Sequence, residues 1–234
     1  MKKIILFFLM LSIVFAQENL EQALRLYEKN QFAKAYEVFD RLCEKGSAKA
    51  CFSIAYMNEN SQGIPKNLKK AHQFYDKSCT LGLAKACSNL ALLLNEEGYE
   101  NDAILAFNRA CKLSDTASCN AVALFYEKEK DAELALNFYK KSCDLKDARA
   151  CYKLGSIYEK GEFVRQNLKS SLSFYSQSCS FGFAEACYLL GRYNEKEKKD
   201  MQSAKRYFGM ACDKKHKEAC EAYKEFVKKG IEIY

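Results

Sequence analysis

Residues 43–51 read Cys43-Glu-Lys-Gly-Ser-Ala-Lys-Ala-Cys51, two cysteines eight residues apart with small residues just before the second. The spacing returns at Cys79/Cys87, Cys111/Cys119, Cys143/Cys151, Cys179/Cys187 and Cys212/Cys220, which uses all 12 cysteines of the 234-residue chain. Six identical spacings with no remainder make the pair a structural unit copied along the chain.

The flanks repeat with it. Eight residues before the first cysteine of each pair stand Ala35, Ala71, Ala103, Ala135, Ser171 and Ala204, and four before it Phe39, Tyr75, Phe107, Tyr139, Tyr175 and Phe208. The recurrence of these aromatics at one register marks them as core. After the second cysteine, positions three, four and seven on read Ile54, Ala55, Asn58 in one copy and Leu154, Gly155, Tyr158 in another. Spacings of three, four and seven trace one buried helix face. Each period therefore predicts two amphipathic helices, with the cysteine pair spanning the turn between one period and the next.

The helices are expected over about 19–29 and 32–44, then with first helices starting near Ala48, Ala84, Ala117, Ala148 and Ala184. This makes six helix pairs. A last helix, from about Glu218 to Lys229, has no partner after it. Its polar side carries Glu221, Lys224, Glu225 and Lys228, as suits a cap facing water. The longer periods differ in the turn inside the pair, which holds Gly63 and the single proline, Pro65, in one copy and Gly161 in another. Glycine and proline end helices at such turns.

Residues 1–16, MKKIILFFLMLSIVFA, open with two lysines, run through an apolar stretch and end in a small residue. This is the pattern of a secretory signal peptide, with cleavage expected after Ala16. Residues 17–234 are then one repeat domain, in the periplasm or outside the cell. Removing Lys2 and Lys3 lowers the net charge from +7 to +5. Acidic residues are interspersed throughout, which does not suit a nucleic-acid binder.

Export favours disulfides. No Cys-x-x-Cys zinc spacing occurs, and His72 and His216 are the only histidines, so neither a metal nor a cofactor is expected. Both histidines read as surface residues. Joining each cysteine to the next copy would strand Cys43 and Cys220, whereas pairing across each eight-residue interval leaves none over.

Leu154-Gly155-x-x-Tyr158 followed by a small residue and an aromatic resembles the tetratricopeptide pattern, with cysteine in place of tryptophan. The 36-residue periods, with Gly-containing turns and a following Leu-Lys, resemble Sel1-like repeats. Sel1-like repeats with paired cysteines after a signal peptide are similar to the Helicobacter cysteine-rich protein family. The resemblance covers the mature chain, departing from it in the shorter turns around 93–102 and 125–132. It implies an all-α, right-handed α/α superhelical solenoid with one disulfide per repeat.

The resemblance also implies a concave face lined by the first helix of each pair. Carried onto this chain, the inward positions are Lys49, Phe52 and Tyr56; Lys85, Ser88 and Leu92; Asn120 and Leu124; Arg149, Tyr152 and Ser156; and Tyr188 and Arg192. A protein or peptide partner of a monomeric scaffold is the leading expectation. The alternatives are a penicillin-binding protein with weak β-lactamase activity, which the family's history suggests, and binding of peptidoglycan fragments. No serine has lysine three residues on, and Ser-Asp-Asn and Lys-Thr-Gly elements are missing, so no catalytic residue is assigned.

Overall fold

The computed structural model describes residues 19–231; the predicted signal peptide and cleavage point lie outside them. The chain is helical throughout the described residues: α1 (19–28), α2 (Phe32–Glu44), α3 (Ala48–Glu59), α4 (Leu68–Thr80), α5 (Ala84–Glu96), α6 (Glu100–Lys112), α7 (Thr116–Lys128), α8 (Ala132–Asp144), α9 (Ala148–Lys160), α10 (Leu168–Ser180), α11 (Ala184–Tyr193), α12 (Met201–Asp213) and α13 (Lys217–Lys228). A π-helical turn, Asn194–Lys198, extends α11. The helices form two compact units, divided between Ser118 and Cys119.

One turn geometry explains the cysteine spacing. Three residues after the first cysteine, Gly46, Gly82, Ser114, Lys146, Gly182 and Lys215 all have positive φ, the left-handed conformation that closes a helix. Each donates its backbone N–H to the carbonyl of that first cysteine, at 2.7–3.0 Å. The next residue starts the following helix: Ser47, Asp115, Asp147 and His216 each accept a backbone N–H of its first turn. A closed helix end, a left-handed residue and a cap bring the two half-cystines together. The Cα–Cα distance is 4.7 Å in Cys43–Cys51, Cys79–Cys87, Cys143–Cys151 and Cys179–Cys187, and 4.5 Å in Cys212–Cys220. Cys111 and Cys119 are disulfide-bonded too.

In the first unit, Phe39, Ile54 and Met57 bury against Ala23 of α1, and Tyr75, Leu90 and Leu93 form the next cluster. In the second, Tyr139, Leu154 and Ile157 form one cluster, and Tyr175, Leu190, Phe208 and Phe226 the other. Of the six recurring aromatics, five are buried and Phe107 is half-buried. Between α3 and α4 the chain turns through Gly63, whose φ is +72° and where a Cβ would lie 2.1 Å from Phe32 Cβ. No other residue fits there.

Candidate functional site

The buried tyrosines carry a polar function that their register does not reveal. Tyr75 donates its hydroxyl to Glu59 Oε2 at 2.6 Å, Tyr175 to Glu159 Oε2 at 2.6 Å and Tyr139 to Glu127 Oε2 at 2.5 Å. Each glutamate lies eight residues after a second cysteine, at the end of the helix preceding its tyrosine. Burial, and then the hydrogen bond to a carboxylate, push all three phenols well above their usual pKa of 10.0. Burial alone would raise Glu127, but hydrogen bonds from Lys153 and Tyr139, with the charge of Lys153, hold it below the ordinary value. These pairs tie consecutive helices together. The sequence signal for them is a tyrosine in place of phenylalanine at the aromatic register, with glutamate at the end of the preceding helix.

The inward positions fall into distinct environments. In the first unit, Phe52, Tyr56 and Lys85 line a cleft of ≈ 300 Å³ together with Leu24, Tyr27 and Asn89. Phe52 and Tyr56 stack at 6.4 Å, and Lys85 Nζ lies 5.4 Å from the centre of the Phe52 ring. Phe52 leans on Tyr75 at 5.5 Å, whereas Tyr56 is 39% exposed. Lys49 is exposed, Leu92 is 53% exposed, and the Ser88 hydroxyl donates to the Lys85 carbonyl of its own helix.

In the second unit the aromatics turn inward. Tyr152 packs between Tyr175, at 5.5 Å, and Phe183, at 4.9 Å; Tyr188 packs on Phe208, at 5.9 Å, and His216, at 4.6 Å. Arg192 Nη1 donates to the Tyr188 hydroxyl at 2.9 Å. Asn120 Nδ2 donates to Asp147 Oδ2, Arg149 and Leu124 are exposed, and Ser156 is half-buried. Tyr152 and Tyr188 thus spend most of their surface on packing.

His216 is more enclosed than the surface residue that the sequence suggested. His216 caps α13: its Nδ1 accepts from the Ala219 N–H at 3.3 Å, which leaves the proton on Nε2 to donate to Glu185 at 2.9 Å, with only 12% of the side chain exposed. The turn repeats, so His216 occupies the register of Ser47 and Asp147, and burial on Tyr188 follows from that. His72 is half-buried on α4, with Nε2 3.1 Å from Glu97. Among the described residues no group of three or more His, Cys, Asp or Glu could hold a metal ion, and no helix is long and apolar enough to cross a membrane.

The Sel1 repeat family model matches residues 14–29, 48–83, 116–147, 148–180 and 184–216, more than half of the chain. This chain belongs to the Sel1-repeat family. No curated protein matches its sequence. Among solved structures, it is similar to a Sel1 repeat protein from Oxalobacter formigenes, at 20% identity and TM-score 0.65, over 82% of this chain and 84% of that one. It is also similar to c5321, a protective antigen of uropathogenic Escherichia coli, at 21% identity and TM-score 0.51, over 92% of this chain and 57% of that one. Helicobacter pylori cysteine-rich protein B shares 30% identity, with TM-score 0.43, over 53% of this chain and 96% of that one.

Proposed function

We propose that the chain is an exported, disulfide-stapled scaffold that binds an extended segment of a protein or peptide partner along the first helices of its repeats, with the cleft of Phe52, Tyr56, Lys85 and Asn89 as an anchor point. Sel1 repeats are a protein-interaction module, and the observation that carries the reading is Tyr56. It is a large aromatic left 39% exposed on a helix whose other large apolar residues are buried or half-buried. An aromatic or aliphatic side chain of the partner would fill the cleft, whose Lys85 ammonium and Asn89 amide supply polar contacts at its edge. Twelve disulfide-bonded cysteines suit an oxidising compartment, in line with cleavage after Ala16. Neither the geometry nor the comparisons supply support for β-lactam hydrolysis.

The test is capture by the oxidised mature protein from periplasmic and secreted extracts, run beside Tyr56→Ala with Lys85→Ala. The double variant is expected to keep its melting temperature and to lose the captured partner. Capture of the same proteins by both forms would remove the cleft from the binding reading. N-terminal sequencing of the exported chain checks the processing point.

A further inference from the structure

We propose that the cleft among α9, α10 and α11, bordered by Ser171, Arg192 and Lys196, binds the carboxylate of a small ligand with an apolar body. The cleft measures ≈ 410 Å³, which falls in the size range of small-molecule sites. It lies within the second unit and shares no residue with the α3–α5 cleft, although Arg192 is also one of the inward positions on the first helices.

Three observations carry the proposal. First, Ser171 breaks a register that is alanine in the five other copies, at Ala35, Ala71, Ala103, Ala135 and Ala204. Its residue is wholly buried, lines the cleft, and its hydroxyl oxygen makes no hydrogen bond. The Tyr175 phenol, which donates its own proton to Glu159, stands close enough to Ser171 for the serine to offset the phenol's upward shift slightly, yet no well-formed hydrogen bond joins the two hydroxyls. Buried hydroxyls without partners are uncommon, because desolvation is then uncompensated. Where the other copies pack alanine, a buried serine lining a cleft is placed to donate to a ligand.

Second, Arg192 keeps donor capacity. Nη1 is engaged by Tyr188, but Nε is buried without a hydrogen bond, its nearest carboxylate, Glu195, standing 4.0 Å away. Third, the guanidinium is peculiar to this copy: five residues after the second cysteine the others carry Tyr56, Leu92, Leu124, Ser156 and Glu225, whereas the lysine nine residues on recurs as Lys128, Lys160 and Lys229. At the corresponding places after Cys87, five and nine residues on, stand Leu92 and Glu96 instead of Arg192 and Lys196. The guanidinium and the ammonium present donors only, and the hydroxyl can donate beside them, a set that a carboxylate accepts from. Leu168, Leu172 and Leu189 supply the apolar wall for the rest of the ligand. The two carboxylates of the cleft do not undo this: Glu159 is occupied by Tyr175, and Glu197 is exposed at its edge.

The probe is N-acetyl-leucine, set against N-acetyl-leucinamide, titrated into the oxidised full mature chain by calorimetry or by chemical-shift change. The acid is expected to bind saturably and the amide roughly tenfold more weakly or not at all. Arg192→Leu, which installs the residue of the Cys87 copy, is expected to weaken the acid by roughly tenfold. Ser171→Ala is expected to weaken it several-fold while leaving the ligand-free melting temperature unchanged or raised. A short peptide ending in leucine with a free carboxylate separates the two sources: tighter binding than the acid assigns the site to chain ends, weaker binding to free small carboxylates. Equal binding of acid and amide would overturn the proposal. So would absence of saturable binding, or a lower melting temperature for Ser171→Ala, which would mean that the hydroxyl is paired within the protein.

Discussion

The two long repeats, α3–α5 and α9–α11, lie 100 residues apart in sequence and share a framework position by position. Tyr75 donates to Glu59 as Tyr175 does to Glu159, and the Ser78 hydroxyl donates to the Ala48 carbonyl at 2.7 Å as Ser178 does to Ala148 at 2.6 Å. Disulfides Cys79–Cys87 and Cys179–Cys187 close the same turn. The surfaces laid on this framework differ. Phe52, Tyr56 and Lys85 leave an apolar cleft open, whereas Tyr152 and Phe183 pack together beside Glu185, and Arg192 replaces an exposed leucine. A repeat array separates the residues that close each joint from those that face solvent, so one changes without the other.

The staples give the largest effect. Each closes a nine-residue loop, which in the chain-entropy model is worth about 2.5 kcal/mol. Replacing Cys79 and Cys87 by alanine, or Cys179 and Cys187, is expected to cost similar amounts by denaturant unfolding, and a large inequality would show that the frameworks are not equivalent. Gly155 should break the equivalence next. An added Cβ would lie 2.5 Å from Tyr175 Cδ1, and that ring is held by Glu159, whereas the matching position in α3 is already Ala55. Gly155→Ala is expected to destabilise by roughly 1–3 kcal/mol. The reverse change, Ala55→Gly, is expected to cost about 1 kcal/mol from helix propensity.

The tyrosine–glutamate pairs offer a pH test. Because the folded phenols titrate well above 10.0, their contribution is fully present below pH 10.0 and is lost as pH rises through the raised folded values. Absorbance at 295 nm should show Tyr75, Tyr139 and Tyr175 ionising only with alkaline unfolding, and ionisation alongside the exposed tyrosines would contradict the pairing. Glu127 runs the other way. Its folded value is depressed, so its contribution is present above pH 4.5 and lost as pH falls through the folded value. Tyr75→Phe and Tyr175→Phe are each expected to cost about 1 kcal/mol. The smallest effect is expected from Lys77→Gln, which copies Gln177: its ion pair with Glu44, at 2.8 Å, is exposed, and the change should stay within about 0.5 kcal/mol.

Sequence alone determined the helical repeat, the disulfide-bonded turns and the core aromatics, because all are local or periodic. A helix face returns every three to four residues, and a tight turn fixes which cysteines can meet. Helix starts were legible to within a residue: α7 begins at Thr116 instead of Ala117, drawn one position earlier by the Asp115 cap. What only the tertiary structure decided were the contacts between helices from different periods. Phe52 and Tyr152 occupy the same repeat position and are both half-buried, yet one lines a cleft and the other packs between Tyr175 and Phe183, since the outcome depends on whether Lys85 or Glu185, and Leu83 or Phe183, arrives from the next helix. His216 reads as a loop residue until Tyr188 and Glu185 are placed against it. The buried hydroxyl of Ser171 is a substitution of one atom in the sequence, and its meaning rests on burial, which depends on neighbours distant along the chain.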